Sequence, residues 1–252
     1  MKRVAVVTGG ASGIGKACAK ALVDEGYAVI IADIVDEEIG GKVAKEIGAL
    51  FISTDLSKRD SCLDLIDQIT TDFGRVDVLI NNGGYQHISP IEDFPEDTWD
   101  EMIHILLTAP FLLTKYVWPT MKHQKWGRII NIASVHSEVA SPNKSAYISA
   151  KHGLIGLTRT AALEGGEFGI TVNALSPAYV RTPLVENQIA DQARTRNIRE
   201  ADVIEKVMLE PAAIKRLIEP EEIANLVILL CSEKGSAITG ANWKIDCGWT
   251  AK

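Results

Sequence analysis

In NKSAYISAKHG, residues 143–153, Tyr147 and Lys151 stand four residues apart, and Lys144 lies three before the tyrosine. Residues four apart share one face of a helix. A free phenol has a pKa near 10 and is a poor base at neutral pH. An ammonium one helical turn away favours the phenolate by electrostatic attraction. Tyr147 so placed can take a proton from an alcohol or return one to an alkoxide. A surface Tyr–Lys pair without chemistry is the competing reading, and the rest of the chain has to decide.

TGGASGIG follows an apolar run and opens a helical pattern, with Gly9, Gly13 and Gly15 in GxxxGxG spacing. Glycines there permit a tight turn and let a pyrophosphate approach the backbone. The N–H groups and dipole of the helix N-terminus then stabilise the anion. Glycine suits any tight strand-to-helix turn, so the pattern gains its weight from its place right after a strand. Asp33 ends the next apolar run, in VIIADIVDEE. A carboxylate there accepts hydrogen bonds from the ribose hydroxyls of NAD and repels the 2′-phosphate of NADP. The next residue, Ile34, is not basic, so NAD is the expected cofactor. The other reading of Asp33 is a helix cap or turn residue. Asp55, in STDLS, has two readings as well: a cap for the next helix, or a partner for the adenine amino group.

These groups need a scaffold. Short apolar runs at 3–9, 28–33, 49–55, 76–82, 127–134, 170–177 and 241–246 alternate with helical patterns at 14–25, 36–47, 59–73, 97–121, 145–168 and 220–232. That alternation predicts parallel strands joined by crossover helices, and near-continuous apolar strands predict a sheet covered on both faces. The expected fold is a single doubly wound α/β domain over 1–252, of Rossmann type, with about seven parallel strands. No linker, repeat or low-complexity segment divides it. The charged segment 183–219, after the sixth strand, stands where a helical substrate lid would lie; its other reading is a solvated helical hairpin.

The chain has 252 residues, is 46% hydrophobic and carries a formal charge of −7. That allows one sizeable core and disfavours nucleic acid and anionic membranes as partners. Cys18, Cys62, Cys231 and Cys247 form no CxxC pair and no Cys/His cluster, so no metal site is expected and the thiols read as reduced and mostly buried. MKRVAVVTGG has neither the length nor the cleavage site of a signal peptide, and no apolar run has the length of a membrane span. A soluble, cytoplasmic protein is expected.

Taken together, TGGASGIG, NNGG (81–84), Ser134 and YISAK (147–151) resemble the short-chain dehydrogenase/reductase family, over essentially all 252 residues. The combination carries the resemblance: a glycine turn, an NNxG turn after the fourth strand, and a serine thirteen residues before YxxxK. It implies hydride transfer to or from a nicotinamide, with Tyr147 as acid or base and Ser134 orienting the reacting oxygen. Lys151 would tune the tyrosine and hold the nicotinamide ribose. Ser12 and Ile14 of the glycine turn, Leu56 beside Asp55, and Asn82 and Gly83 of NNGG would contact the dinucleotide. So would Pro177, Val180 and Thr182 of PAYVRTPL, the last two near the nicotinamide amide. The family also implies a homotetramer, with helices 97–121 and 145–168 in the contacts.

Within that family, NNGGYQHISPIEDFP, NIASVHSEVASPNKSAYISAKHG, RTPLVENQI and WKIDCGW are similar to the 3-hydroxybutyrate dehydrogenases. In that group a small carboxylate is gripped by Gln, His, Lys and Gln; the matching residues are Gln86, His136, Lys144 and Gln188. A cation with amide donors can hold a carboxylate at a set distance from the reacting carbon. Tyr179 stands where the group often has Trp. Trp249 would wall the pocket or close it from a neighbouring subunit. The resemblance thus implies interconversion of (R)-3-hydroxybutyrate and acetoacetate. A sugar, polyol or 3-oxoacyl thioester as substrate, or a dinucleotide-binding protein without turnover, are the alternatives.

Three residues depart from the pattern. Leu106 stands at a position where the family places a hydrogen-bonding Asn that joins a proton relay, and helical spacing turns His104 and Thr108 away from its face. Gly84 replaces the Ala of NNAG, a change expected to matter little. Cys247 replaces a frequent Gly and reads as a small apolar filler.

Overall fold

The computed structural model describes residues 2–196 and 198–251. Seven parallel strands form one sheet in the order β3-β2-β1-β4-β5-β6-β7. They are β1 (Val4–Thr8), β2 (Ala28–Asp33), β3 (Leu50–Ser53), β4 (Val78–Asn81), β5 (Gly127–Ile132), β6 (Ile170–Pro177) and β7 (Asn242–Ile245). Side chains alternate across a strand. In β1, Ala5 and Val7 therefore join a core on one face of the sheet, while Val4 and Val6 join a second core on the other. Both faces are covered, as a doubly wound sheet requires.

Helices α1 (Gly13–Asp24), α2 (Glu37–Ile47) and α3 (Arg59–Phe73) connect the first four strands. The expected single helix at 97–121 is a longer rod with a fault in it. It runs as α4 (Glu96–Ile103), a π turn (His104–Thr108) and α5 (Ala109–Gln124). A π turn inserts one residue into the ladder and is common near functional sites; apolar periodicity does not reveal it. Helix α6 (Ser145–Gly165) carries the YISAK motif, and α9 (Pro220–Cys231) leads to β7. The start of α9 is secured by Pro220 and by a reciprocal capping box between Glu219 and Glu222.

The segment 183–219 contains α7 (Pro183–Arg196), α8 (Glu200–Val203) and a second π turn (Ile204–Met208); Asn197 lies outside the described residues. It has a small core of its own, including Val185, Ile189, Val203, Met208 and Leu217. Its two ends are joined, with the Arg181 N–H donating to the Ile218 carbonyl at 2.8 Å and the Ile218 N–H to the Tyr179 carbonyl at 3.0 Å. Among the described residues, no helix is long and apolar enough to cross a membrane.

Candidate active site

The strand order reverses between β1 and β4, and a crevice opens beyond their carboxyl ends, the usual ligand position in such sheets. Thr8 and Asn82 lock its floor. Thr8 Oγ1 accepts the N–H groups of Asn82 and Gly83, both at 3.0 Å, and Asn82 Nδ2 donates to the carbonyls of Thr8 at 3.0 Å and Gly9 at 3.1 Å. Gly9 and Gly13 hold φ of 61° and 50°, which a side chain would strain. At Gly15 a Cβ would overlap the Gly9 carbonyl and the Asn82 amide, so this glycine lets α1 pack onto the turn.

A cleft of about 380 Å³ results. It is lined by Gly9, Ser12, Gly13, Ile14, Asp33, Asp55, Leu56, Asn82, Gly83, Tyr147, Lys151, Pro177, Val180 and Thr182. Of the residues expected around a dinucleotide, only Gly15 stays behind the wall. Asp33 serves the turn too: Oδ2 accepts the Ala11 N–H at 3.0 Å and Oδ1 the Ile34 N–H at 2.8 Å. It does not cap α2, whose N-cap position is Asp36. Asp55 does not cap α3 either, since Lys58 holds that position. Its carboxylate accepts from the backbone and hydroxyl of Ser57, at 2.9 and 2.6 Å. The Ser57 hydroxyl, helped by Lys58, holds Asp55 below the ordinary carboxylate range.

Ser134, Tyr147 and Lys151 meet on the same wall. Ser134 is extended, and its hydroxyl accepts the His136 N–H at 3.2 Å, starting a short turn after β5. Burial raises the Tyr147 phenol above its ordinary pKa, and a hydrogen bond with Ser134 works against the rise. Lys151 Nζ donates to the Ile132 carbonyl at 2.6 Å and lies 5.6 Å from the centre of the Tyr147 ring. Burial lowers Lys151 to about 8. Burial thus works against both charged forms, the phenolate and the ammonium.

A second group of side chains gathers beside the tyrosine. Lys144 Nζ lies 3.3 Å from His136 Nε2. Lysine has no acceptor, so Nε2 accepts and the imidazole carries its proton on Nδ1. Burial first, then Lys144, hold His136 at about 4, neutral near pH 7. Asn143 is in the left-handed region at φ 65° and its carbonyl accepts the Ser89 N–H at 3.0 Å. That contact ties the Lys144 segment to the loop bearing Gln86. From α7, Gln188 Nε2 reaches Gln86 Oε1 at 3.2 Å. Gln86 Nε2 is buried with no acceptor among the described residues. The His136 ring meets those of Tyr147 and Trp249 edge-on at 6.2 and 6.1 Å, and Tyr179 lies 5.6 Å from Trp249. Trp249 thus packs between His136 and Tyr179 of its own chain. Of the six residues expected at the substrate, Lys144, His136, Trp249 and Tyr179 form one chain of contacts and Gln86 and Gln188 form a separate pair.

A family model described as enoyl-(acyl carrier protein) reductase, of the short-chain dehydrogenase type, matches residues 9–250. The chain belongs to the short-chain dehydrogenase/reductase family. Members of this family typically bind a nicotinamide dinucleotide. The chain is 47% identical to the uncharacterized oxidoreductase YxjF of Bacillus subtilis, covering 100% of this chain and 99% of that one. It is 43% identical to D-beta-hydroxybutyrate dehydrogenase of Rhizobium meliloti, covering 100% of both. The ligand-free aldohexose dehydrogenase of Thermoplasma acidophilum superposes with a TM-score of 0.91 at 31% identity, over 100% of this chain and 95% of that one. The protein is therefore a short-chain dehydrogenase/reductase oxidoreductase with the family's doubly wound sheet.

Two features of this family member escaped the sequence. Thr8 joins the two strand ends, and its only signal was a hydroxyl directly before the glycine turn. Cys247 is more than a filler. It holds φ 54°, and its carbonyl accepts the N–H groups of Ala213 and Ile214 at 2.8 and 3.0 Å, anchoring the returning end of the 183–219 segment. Cys18, Cys62 and Cys231 are buried and Cys247 is partly exposed. Among the described residues, no group of His, Cys, Asp or Glu could hold a metal ion.

Proposed function

We propose that this oxidoreductase interconverts (R)-3-hydroxybutyrate and acetoacetate with NAD. The observation that carries the reading is the Lys144–His136 pair beside Tyr147 together with the Gln188–Gln86 pair, whose Gln86 amide donor is buried and unused. A buried donor without an acceptor costs about 1–3 kcal/mol, and a substrate carboxylate would satisfy it. His136 orients Lys144, Lys144 supplies the charge, and the two glutamines supply amide donors. The acid end is then fixed, with Tyr179 and Trp249 limiting the length of the rest.

Ser134 and Tyr147 hold the reacting oxygen. As phenolate, Tyr147 takes the hydroxyl proton; in the reverse direction it returns the proton to the alkoxide. Lys151 stabilises the phenolate by its charge. When bound, the nicotinamide accepts or returns the hydride. The cleft suits a dinucleotide in its chemistry. The first N–H groups of α1 have no side-chain cap, which suits a pyrophosphate. Asp33 lines the cleft with a carboxylate that would repel a 2′-phosphate, and Ile34 beside it brings no cation for one.

In this reading the 183–219 segment acts as a lid, because α7 brings Gln188 across to Gln86. Assembly as the homotetramer that the family resemblance implies would cover exposed Phe111 on α5 and Leu163 on α6, the latter 86% exposed.

The test is NADH formation by purified protein with NAD⁺, comparing (R)-3-hydroxybutyrate with its (S) isomer, uncharged alcohols and sugars. Selectivity for the (R) acid is the expected result. Turnover confined to uncharged substrates would remove the carboxylate role from Gln86, His136, Lys144 and Gln188.

A further inference from the structure

Gly84 and Leu106 face each other across the wall of the cleft. A Cβ built on Gly84 would overlap Leu106 Cδ2. Leu106 is only 2% exposed, in the middle of the His104–Thr108 π turn. It shares a small core with Met102, Ala146 and Ala150, against which Tyr147 packs, and it lines the cleft together with Tyr147 and Lys151. Its neighbour Leu107 fills the space that a Cβ on Gly153 would need, at 2.8 Å. Ala146, Ala150 and Gly153 are spaced along one face of α6. The π turn therefore rests on a stripe of small residues on the helix that carries the reacting tyrosine. His104, at the start of the turn, lines a separate cavity against α3. Leu106 has little room to swing away from Gly84 without pressing on α6.

We propose that Gly84 and Leu106 act as one steric unit, and that Leu106 is a positioning residue for Tyr147, backing the phenol with an apolar wall that keeps water from the Tyr147–Lys151 pair. The inference rests on the reading of Tyr147 as the proton-transfer group. Leucine offers no hydrogen bond. A gap in its place admits water, and water favours both charged forms, the phenolate and the ammonium. The titratable groups around Tyr147 are Lys144 at the N-cap of α6, Lys151 on α6, His136 after β5 and Tyr179 after β6. On the side of α4 stands Tyr85, whose hydroxyl donates to Glu101 at 2.7 Å. Opening the wall at Leu106 removes none of them, so a shift in the titration would report hydration.

Three variants test this: Leu106→Ala, Gly84→Ala and the double. Each is assayed as the pH dependence of kcat on the best substrate among (R)-3-hydroxybutyrate, an aldohexose and a secondary alcohol. Melting curves accompany each. Leu106→Ala should lower kcat roughly tenfold to a hundredfold, the scale of a misplaced reacting group. It should leave KM for the dinucleotide unchanged and move the limb set by Tyr147 to lower pH, since phenolate forms more readily once hydrated. Gly84→Ala should lower kcat by pressing Leu106 onto the tyrosine. The double variant should return to the level of Leu106→Ala alone. An unchanged pH limb in Leu106→Ala, or losses that multiply in the double, would overturn the proposal. If Gly84→Ala does not fold, recovery of a folded double supports the steric unit, and the Leu106→Ala limb still decides the positioning role. Tyr147→Phe separates the two readings: substantial turnover in that variant would sink the role of Tyr147 itself, and this inference with it.

Discussion

The two halves of the candidate site are built from different material. The floor of the cleft is backbone, made of Gly9, Gly13 and Gly83, the exposed start of α1 and the strand ends stitched together by Thr8 and Asn82. Even its carboxylate, Asp33, is committed on both oxygens to neighbouring N–H groups. The residues expected at the substrate act through their side chains. Gln86, His136, Lys144, Tyr179, Gln188 and Trp249 come from six separate segments and touch one another in pairs. A site of backbone tolerates few residue types at its tight points. A pocket of side chains can change its substrate while the cleft beside it stays intact.

The comparison predicts effects of different kinds. The largest belongs to the cleft. Gly15→Ala places a Cβ against the Gly9 carbonyl and Asn82, where backbone has to move. Overpacking of this kind costs about 1–3 kcal/mol. It should lower the melting temperature and weaken dinucleotide binding measured by fluorescence. Wild-type binding in that variant would show the turn to be softer than its hydrogen bonds suggest.

An intermediate effect belongs to the pocket. Lys144→Gln keeps a polar side chain but removes the charge. A hydrogen bond to a charged group is worth about 1.5–3 kcal/mol, which is roughly tenfold to a hundredfold in kcat/KM for the acid. Dinucleotide affinity and turnover of uncharged alcohols should not move. Equal losses on charged and uncharged substrates would make Lys144 a structural residue and blur the division between the two regions.

The smallest effect belongs to the pocket's frame. Cys247 occupies a left-handed conformation costing an L-residue about 1–2 kcal/mol, part of which glycine returns as lost chain entropy. Cys247→Gly should therefore stabilise by about 0.5–1 kcal/mol, a rise of roughly 1–4 °C in melting temperature for a chain of this size. A fall would mean that the long contact from its Sγ to the Arg216 carbonyl, at 3.9 Å, matters more than the backbone angle.

Much of this molecule is legible in the sequence because much of it is local. The strand β6 (Ile170–Pro177) and the helix α3 (Arg59–Phe73) coincide with the apolar runs that predict them. Other elements differ by a few residues at their ends, where hydrogen bonding rather than hydrophobicity sets the limit. The π turn at Leu106 was not legible, because one inserted residue barely changes the apolar spacing. Nor was the meaning of Gly84. It reads as a minor change beside the glycine turn, and only the arrival of Leu106 from another element gives the missing side chain a consequence.

By itself the sequence determined the alternating strands and helices, the glycine turn, and the shared helical face of Tyr147 and Lys151. Each depends on residues within a few positions of one another. The tertiary structure decided what those groups meet. It showed that Asp33 also locks the turn, that Lys151 is tied to Ile132, that His136 meets Lys144, and that Trp249 packs against His136 of the same chain. The physical reason is range. Backbone preferences act between neighbours, whereas a buried polar contact or a filled void exists only once distant segments have packed together.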